Sequence, residues 1–298
     1  MPGFLSKFKK KIKEIYGEDS LSWFDSSYAL DWIVVLGLYL LTAFIETQPI
    51  FERDFSPNDS LIQHPHTSEQ ISSYANAMIA IALPAALVGL IGGYRSSILE
   101  IHHGLLAAHT SCALTQLVTS FLKNRVGRLR PDFLARCQWD ASQHVCTGKI
   151  HDILNGRKSF PSGHSSTAFV GMTFTALFLA GKTAALCFSV SPFSGSLLGS
   201  RFVRLCIVLA PLALSTWVAI TRVEDYRHHK EDVIVGGLIG ILSGTICYLL
   251  YWPSPFSASS FLPETMGRPR LTLDNDTSNR PRTDNYNLAP DDANLDFV

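Results

Sequence analysis

Charged residues are scarce in this sequence. Asp, Glu, Lys and Arg make up 17% of the 298 residues, and hydrophobic residues make up 47%, whereas about a quarter of the residues in a soluble domain are charged. Acidic and basic residues are equal in number, 25 of each, so the net charge is zero and gives no reason to expect nucleic acid as a partner. The composition predicts an integral membrane protein.

Several common signals are also missing. The first long apolar run begins near residue 29 and has no small-residue cleavage site after it, so we expect a signal anchor and not a cleaved signal peptide. Neither end carries a lipidation motif. No CxxC pair is present to suggest a zinc site. These absences leave the apolar runs as the main guide to the architecture.

Six stretches approach the roughly 20 residues that cross the hydrocarbon core of a bilayer. They predict an all-α fold, a six-helix membrane bundle over residues 29–252, preceded by a basic cytoplasmic N-terminus (1–28). A tail rich in Ser, Pro, Asn and Asp (253–298) is predicted to be disordered and cytoplasmic. The expected spans lie near 29–46, 74–93, 101–121, 164–181, 203–220 and 232–252.

The third stretch is interrupted by polar residues, among them His109, Ser111 and Thr115. Polar side chains inside a membrane span usually face other helices and not lipid. We therefore expect the third span to line the interior of the bundle.

Lysines near the N-terminus predict its side of the membrane. Five Lys residues lie between Lys7 and Lys13, and such residues stay cytoplasmic, so six spans also place the C-terminus inside. The connection between the third and fourth spans breaks this pattern because it is rich in Lys and Arg. Phosphate binding on the non-cytoplasmic face would explain these cations, but the opposite orientation remains open.

Three short segments in this chain are rich in groups that bind phosphate. The first holds Lys123, Arg130 and Pro131 in a K-x6-R-P spacing. Lys123 and Arg130 are about two helical turns apart, so they share a face if the helix continues past Leu122. Arg offers a planar fork to a phosphate and Lys offers a point charge. An ordinary cationic cluster at the membrane edge is the alternative for this segment alone.

The second segment is Pro161-Ser162-Gly163-His164, directly before an apolar helix. Ser162 and the free N–H groups of a helix start suit an anion, and Gly163 allows close backbone approach. His164 can donate a proton to a leaving oxygen. A plain Ser cap followed by an interfacial His would look the same.

The third segment holds Arg222, His228 and Asp232 in an R-x5-H-x3-D spacing. His228 and Asp232 are four residues apart, so we expect them on one helical face, where the carboxylate would fix the tautomer of the nucleophilic ring. His229 is a rival for His228, but only His228 has an Asp four residues later. Alternating spans place all three segments at the same membrane face.

Together these segments resemble the signature of the type 2 phosphatidic acid phosphatase superfamily, the lipid phosphate phosphatases. The family pattern is K-x6-R-P, P-S-G-H and S-R-x5-H-x3-D, and this chain departs from it once, with Thr221 in place of Ser. The resemblance covers residues 29–252. It is closest to fungal diacylglycerol pyrophosphate/phosphatidate phosphatases.

The resemblance implies a mechanism without metal or cofactor. His228 would form a phosphohistidine, Asp232 would orient it, and His164 would serve as proton donor and then activate water. The implied phosphate-binding residues are Lys123, Arg130, Ser162, Gly163 and Arg222. The implied substrates are phosphatidate, lysophosphatidate and diacylglycerol pyrophosphate, cleaved at the non-cytoplasmic face.

The motifs leave several alternatives open. A transferase of lipid phospho-headgroups and an isoprenoid diphosphate phosphatase would use the same residues, and a non-catalytic lipid-binding or transport protein is a third possibility. The partners expected are a lipid phosphate substrate and membrane lipids. The sequence does not specify the organelle, which is open between vacuole, Golgi, endoplasmic reticulum and plasma membrane, nor does it specify the oligomeric state.

Cys137 and Cys146 lie in the loop that joins the third and fourth spans. An oxidising, non-cytoplasmic environment permits a disulfide between them. Sequence alone does not show whether their geometry allows the bond.

Overall fold

The computed structural model describes residues 23–190, 197–262 and 265–271. Six long helices form a bundle over these residues, so the predicted all-α membrane fold is confirmed. They are α1 (Ser26–Glu46), α2 (Ser73–Tyr94), α3 (Ile98–Val126), α6 (Gly163–Thr183), α7 (Arg201–Glu224) and α8 (Lys230–Tyr251). The basic leader up to residue 22 and the tail beyond residue 271 lie outside the described residues.

The connection between α3 and α6 contains the other short elements. Two small helices, α4 (Phe133–Cys137) and α5 (Ile150–Gly156), enclose a two-stranded hairpin of β1 (Trp139–Asp140) and β2 (Val145–Cys146). The disulfide that the sequence permits is present between Cys137 and Cys146. This connection forms a small folded cap over one end of the bundle.

Five of the six long helices have the length and apolar composition needed to cross a membrane. The exception is α6, which carries several Ser, Thr and Gly residues and is largely buried. It packs against α3, α7 and α8 and against the middle of α2. Since α6 is surrounded by protein on most sides, it does not need the strongly apolar surface that lipid requires.

The helix α3 is 29 residues long and contacts four other helices. Its polar residues Ser111 and Thr115 are fully buried, which confirms that the third predicted span lines the interior. The second predicted span is interrupted by a π-helical turn (Met78–Ala82), and this turn contacts α6.

The prediction of disorder from residue 253 onward is wrong for the first part of that segment. A 3-10 helix forms at Ala258–Phe261, and Phe261 packs against Ala184 and Cys187 at the end of α6. Lys182 also donates a hydrogen bond to the carbonyl of Gly267. A few specific contacts order this stretch although its composition is polar.

The closest helix pair, α6 and α8, meets through small residues. A Cβ added at Gly240 would lie 2.8 Å from the backbone nitrogen of Val170 and would also collide with the carbonyl oxygen of Ser166. Both atoms belong to the backbone of α6 and have little freedom to move. Gly37 on α1, by contrast, has nothing within 4 Å of an added Cβ.

Gly240→Ala is therefore expected to destabilise the bundle by about 1–3 kcal/mol, the usual cost of overpacking. Thermal unfolding in detergent would show a lower midpoint for this variant. Gly37→Ala is the matched control, and its midpoint should be unchanged or slightly higher because Ala favours a helix. Equal midpoints for the two variants would contradict the close α6–α8 packing.

Candidate active site

The C-terminal end of α3 places Lys123 at one end of the bundle. Gly127 ends the helix in the left-handed conformation, with φ of 57°, and its backbone N–H donates to the Lys123 carbonyl at 3.3 Å. An added Cβ at Gly127 would collide with the backbone of Phe51. Since the helix ends at Val126, Arg130 lies outside it, and helical spacing does not align Arg130 with Lys123 as we expected.

Contacts with α5 hold Arg130 instead. Its backbone N–H donates to the Gly156 carbonyl at 2.8 Å, and its Nε donates to the Asn155 carbonyl at 3.0 Å. Nearby, the buried Asp132 accepts from Arg136 at 2.9 Å and pairs with His66 at 2.6 Å. These contacts leave the terminal nitrogens of Arg130 available to a ligand.

Ser162 caps the N-terminus of α6. Its Oγ accepts a hydrogen bond from the Ser165 N–H at 3.3 Å, and its own N–H donates to the Asp232 carbonyl at 2.9 Å. Two residues into this turn, the Nε2 atom of His164 is buried and has no hydrogen-bond partner among the described residues. An unpaired buried polar atom of this kind is ready to meet a ligand.

His228 lies in the turn between α7 and α8. Its Nδ1 donates to the backbone carbonyl of Ser159 at 2.8 Å. A carbonyl only accepts hydrogen bonds, so the ring proton is on Nδ1 and Nε2 carries a free lone pair. The ring is 3% exposed, which keeps this nitrogen out of bulk water.

The carboxylate of Asp232 stands behind this histidine. Its Oδ2 is 3.8 Å from His228 Nδ1. The helix α8 starts at Lys230, so the two residues do not share a helical face as the sequence suggested, and the Ser159 carbonyl makes the direct hydrogen bond. Asp232 accepts instead from Ser159 Oγ at 2.5 Å, Arg128 Nη1 at 2.8 Å and the His229 N–H at 3.0 Å.

Burial is the main cause that lowers the pKa of His228 to about 3, and the positive charges of Arg130 and Lys123 lower it further. Asp232 opposes this shift but does not reverse it. The imidazole is therefore neutral at physiological pH, and a neutral imidazole is the form that can attack phosphorus.

His229, the rival histidine, is held differently. Its Nε2 donates to the Leu61 carbonyl at 3.2 Å, and its Nδ1 lies 3.3 Å from Asp232. It also caps α8. Because both ring nitrogens have partners, His229 has no nitrogen available for attack, which favours His228 as the nucleophile.

These segments enclose an inner cavity of about 160 Å³. Of the residues predicted from the sequence, five line it together: Lys123, Arg130, His164, Arg222 and His228. Four further residues that the motifs did not identify also line it: Glu69, Ser73, Asn155 and Arg227. Within the described part of the chain, its walls hold four Lys and Arg side chains and one carboxylate, a charge balance that suits an anion.

The remaining predicted residues surround this cavity without lining it. Ser162 and Asp232 are fully buried, and Gly163 lines an adjacent cavity, where an added Cβ would lie 3.0 Å from Lys123 Nζ. A side chain at position 163 would therefore crowd the ammonium group of Lys123. Ser162 fixes the start of α6, and Asp232 fixes the segments around His228.

Two larger cavities adjoin the inner one. A side cavity of about 310 Å³ lies between α1, α2, α3 and α6, and its lining includes Glu46, Asn76, Gln116 and Thr167. An outer cavity of about 830 Å³ lies between the end of α1, the end of α3 and α5. Lys123 and Ser73 line all three cavities, so the three adjoin around these residues.

Several residues of the site have no signal in the sequence motifs. Arg227 lies among other charged residues in the sequence, but its side chain is buried and its Nη2 donates to the Thr67 carbonyl at 2.8 Å. Glu69 comes from the loop between α1 and α2 and lies 3.6 Å from Arg222. Only the tertiary fold brings these groups to the cavity.

Comparison with known proteins identifies the family of the chain. The family model for the PAP2 superfamily matches residues 104–255. The chain belongs to the PAP2 superfamily. The matched region runs from α3 to just beyond α8, and it contains every site residue predicted from the sequence.

Curated relatives align with most of the chain. Lipid phosphate phosphatase 2 of Arabidopsis thaliana is 33% identical over 78% of this chain and 80% of its own length. Diacylglycerol pyrophosphate phosphatase 1 of Saccharomyces cerevisiae is 31% identical, over 75% and 79%. Probable diacylglycerol pyrophosphate phosphatase 1 of Schizosaccharomyces pombe is 35% identical, over 68% and 73%. No solved structure gives a significant match.

Asp232→Asn is expected to lower kcat of this PAP2 protein by at least about a hundredfold, because the positive charge that develops on His228 loses its carboxylate. Binding of a lipid phosphate to the purified variant should remain measurable. Glu231→Gln is the control, since Glu231 also pairs with Arg128 but is 64% exposed. Unchanged turnover in Asp232→Asn would leave Asp232 with a structural role only.

Proposed function

We propose that this protein is a metal-independent lipid phosphate phosphatase that works through a phosphohistidine on His228. The proposal rests on the hydrogen bond from His228 Nδ1 to the Ser159 carbonyl. This bond leaves Nε2 free on a ring that lines a cavity rich in cations. The family of the protein and the names of its relatives support a lipid phosphate as the substrate.

The reaction follows from the positions of these groups. His228 Nε2 attacks phosphorus and forms the N–P bond, while the bond from phosphorus to the lipid oxygen breaks. The leaving oxygen takes the electron pair, and His164 donates a proton to it. His164 then takes a proton from water, whose oxygen attacks the phosphohistidine and releases phosphate.

The cations of the inner cavity stabilise the charge that moves during this reaction. Lys123, Arg130, Arg222 and Arg227 surround the site where a phosphate would sit. Donors that are already in place lower the energy of the transition state because they need no reorganisation. A metal ion has little to bind to here, since Glu69 is the only carboxylate in the lining among the residues that the structure describes, and Mg²⁺ and Ca²⁺ prefer several oxygen ligands.

The side cavity offers the lipid a route to the phosphate site. It lies between four membrane helices and shares Lys123 and His164 with the inner cavity. A lipid that enters here keeps its acyl chains beside the bundle while its headgroup reaches His228. We expect phosphatidate, lysophosphatidate and diacylglycerol pyrophosphate to use this route.

The orientation of the chain supports a site on the non-cytoplasmic face. Ser120 near the end of α3 donates to Glu46 at the end of α1, so the start of α1, which follows the lysine-rich leader, lies at the opposite end of the bundle. Lysines near a span favour the cytoplasm. The disulfide between Cys137 and Cys146 beside the site also suits an oxidising compartment.

His228→Ala is expected to abolish phosphate release and the formation of a phosphoenzyme, because it removes the attacking nitrogen. His229→Asn is the matched variant, and it should keep at least a tenth of the wild-type rate, about the effect of a weakened helix cap. Acid-labile phosphoenzyme can be trapped from a radiolabelled lipid phosphate. Phosphate release by His228→Ala at the wild-type rate would refute the assignment of the nucleophile.

Purified protein in detergent micelles should release phosphate from phosphatidate and from diacylglycerol pyrophosphate in the presence of EDTA. The rates with and without EDTA should agree within about twofold, because the cations of the inner cavity replace a metal. If EDTA abolishes activity and Mg²⁺ restores it, the proposed mechanism is wrong. If turnover requires an added alcohol, the protein is a transferase.

A further inference from the structure

Lys158 is a cation beside the active site that the mechanism above does not use. It follows α5 and lines the outer cavity together with Lys123, Arg130 and Asn155. The last three residues also line the inner cavity. The outer cavity therefore adjoins the phosphate site, and Lys158 lines the outer cavity but not the inner one.

The backbone around Lys158 is fixed. The Lys158 N–H donates to the Asn155 carbonyl at 3.1 Å, and the next N–H, of Ser159, donates to the Arg128 carbonyl at 3.0 Å. Ser159 in turn holds both His228 and Asp232. Lys158 is thus adjacent in sequence to the residue that orients the nucleophile, and its side chain starts from a defined position.

The ammonium group of Lys158 has no hydrogen bond or ion pair within the part of the chain that the structure describes, and the same is true of Lys123. The two groups are close enough to repel each other. Glu46 and Glu52 also line the outer cavity, but Glu46 accepts a hydrogen bond from Ser120 at 2.9 Å and Glu52 pairs with Arg157 at 3.5 Å. The two ammonium groups are therefore like charges without a direct ion-pair partner among the described residues, which is unfavourable. An anion bound between them would remove this repulsion.

Resting on the proposed function, we infer that Lys158 and Lys123 form a subsite for the second phosphate of a lipid diphosphate. The terminal phosphate occupies the inner cavity beside His228. The phosphate that stays on the lipid then lies beside Lys123, which lines both the side cavity and the outer cavity, with Lys158 on the side of the outer cavity. A monophosphate places no phosphate at this subsite, so Lys158 distinguishes the two classes of substrate.

The chemistry of a diphosphate gives this position a role in the reaction. His228 Nε2 forms a bond to the terminal phosphorus, and the bond from that phosphorus to the bridging oxygen breaks. The bridging oxygen keeps the electron pair and becomes an oxygen of the lipid monophosphate. Lys158 stabilises this additional negative charge as it develops, as a positioned cation does for a leaving group.

Lys158→Gln tests the subsite. Diacylglycerol pyrophosphate and phosphatidate with the same acyl chains are compared in detergent micelles. We expect kcat/KM for the diphosphate to fall about tenfold relative to that for the monophosphate, the size of one charge-assisted contact. Lys158→Arg should keep the wild-type ratio because it keeps the charge.

Lys149→Gln is the matched control, since Lys149 is an exposed lysine of the same connection that lines none of the three cavities. It should leave the ratio of the two kcat/KM values unchanged. A wild-type ratio in Lys158→Gln, or the same loss of ratio in Lys149→Gln, would overturn the inference.

A binding measurement separates this inference from the proposed function. The protein is titrated with methylenediphosphonate, a diphosphate analogue that is not hydrolysed, and with methylphosphonate. Lys158→Gln should weaken the diphosphonate about tenfold more than the monophosphonate. This result without lipid turnover by the wild type would refute the lipid phosphatase and support the subsite, whereas equal weakening of both ligands would refute the subsite.

Discussion

The buried carboxylate of Asp232 is the constraint on which the site depends. An ionised carboxylate out of contact with water is costly unless several donors surround it. Here the donors come from three parts of the chain: Arg128 after α3, Ser159 before α6 and the His229 backbone before α8. Because Asp232 accepts hydrogen bonds from all three, it fixes the segments that carry the phosphate-binding and nucleophilic groups. The Ser159 carbonyl then sets the tautomer of His228.

The membrane bundle supports this arrangement through close packing of small residues. Gly240 lets α8 contact the backbone of α6, and the starts of these two helices carry His164 and Asp232. Close contact matters here because lipid supplies no hydrophobic force to press helices together. The chemistry lies where the helix ends and the folded cap meet, and the packed interior of the bundle holds those ends in register.

Much of the fold and part of the site were predictable from the sequence. The membrane-spanning helices could be predicted because lipid-facing helices need long apolar runs. The three motifs indicated which helix ends would meet. The shared helical faces predicted for Arg130 with Lys123 and for His228 with Asp232 are not formed. Tight turns after Val126 and around Tyr226 replace the expected helix. Glu69 and Arg227 were not predictable because tertiary contacts place them. Residues 258–261 are ordered by the burial of Phe261 against the end of α6, which composition does not reveal.

The weakly apolar composition of α6 affects how the protein enters the membrane. Each helix is tested for insertion largely by its own hydrophobicity as it leaves the ribosome, and α6 is the one long helix described here that lacks a strongly apolar window. Its Ser and Thr residues are accommodated only when α3, α7 and α8 surround it. We therefore expect stable insertion of α6 to require α7 and α8, which follow it in the chain and cover its polar residues in the bundle.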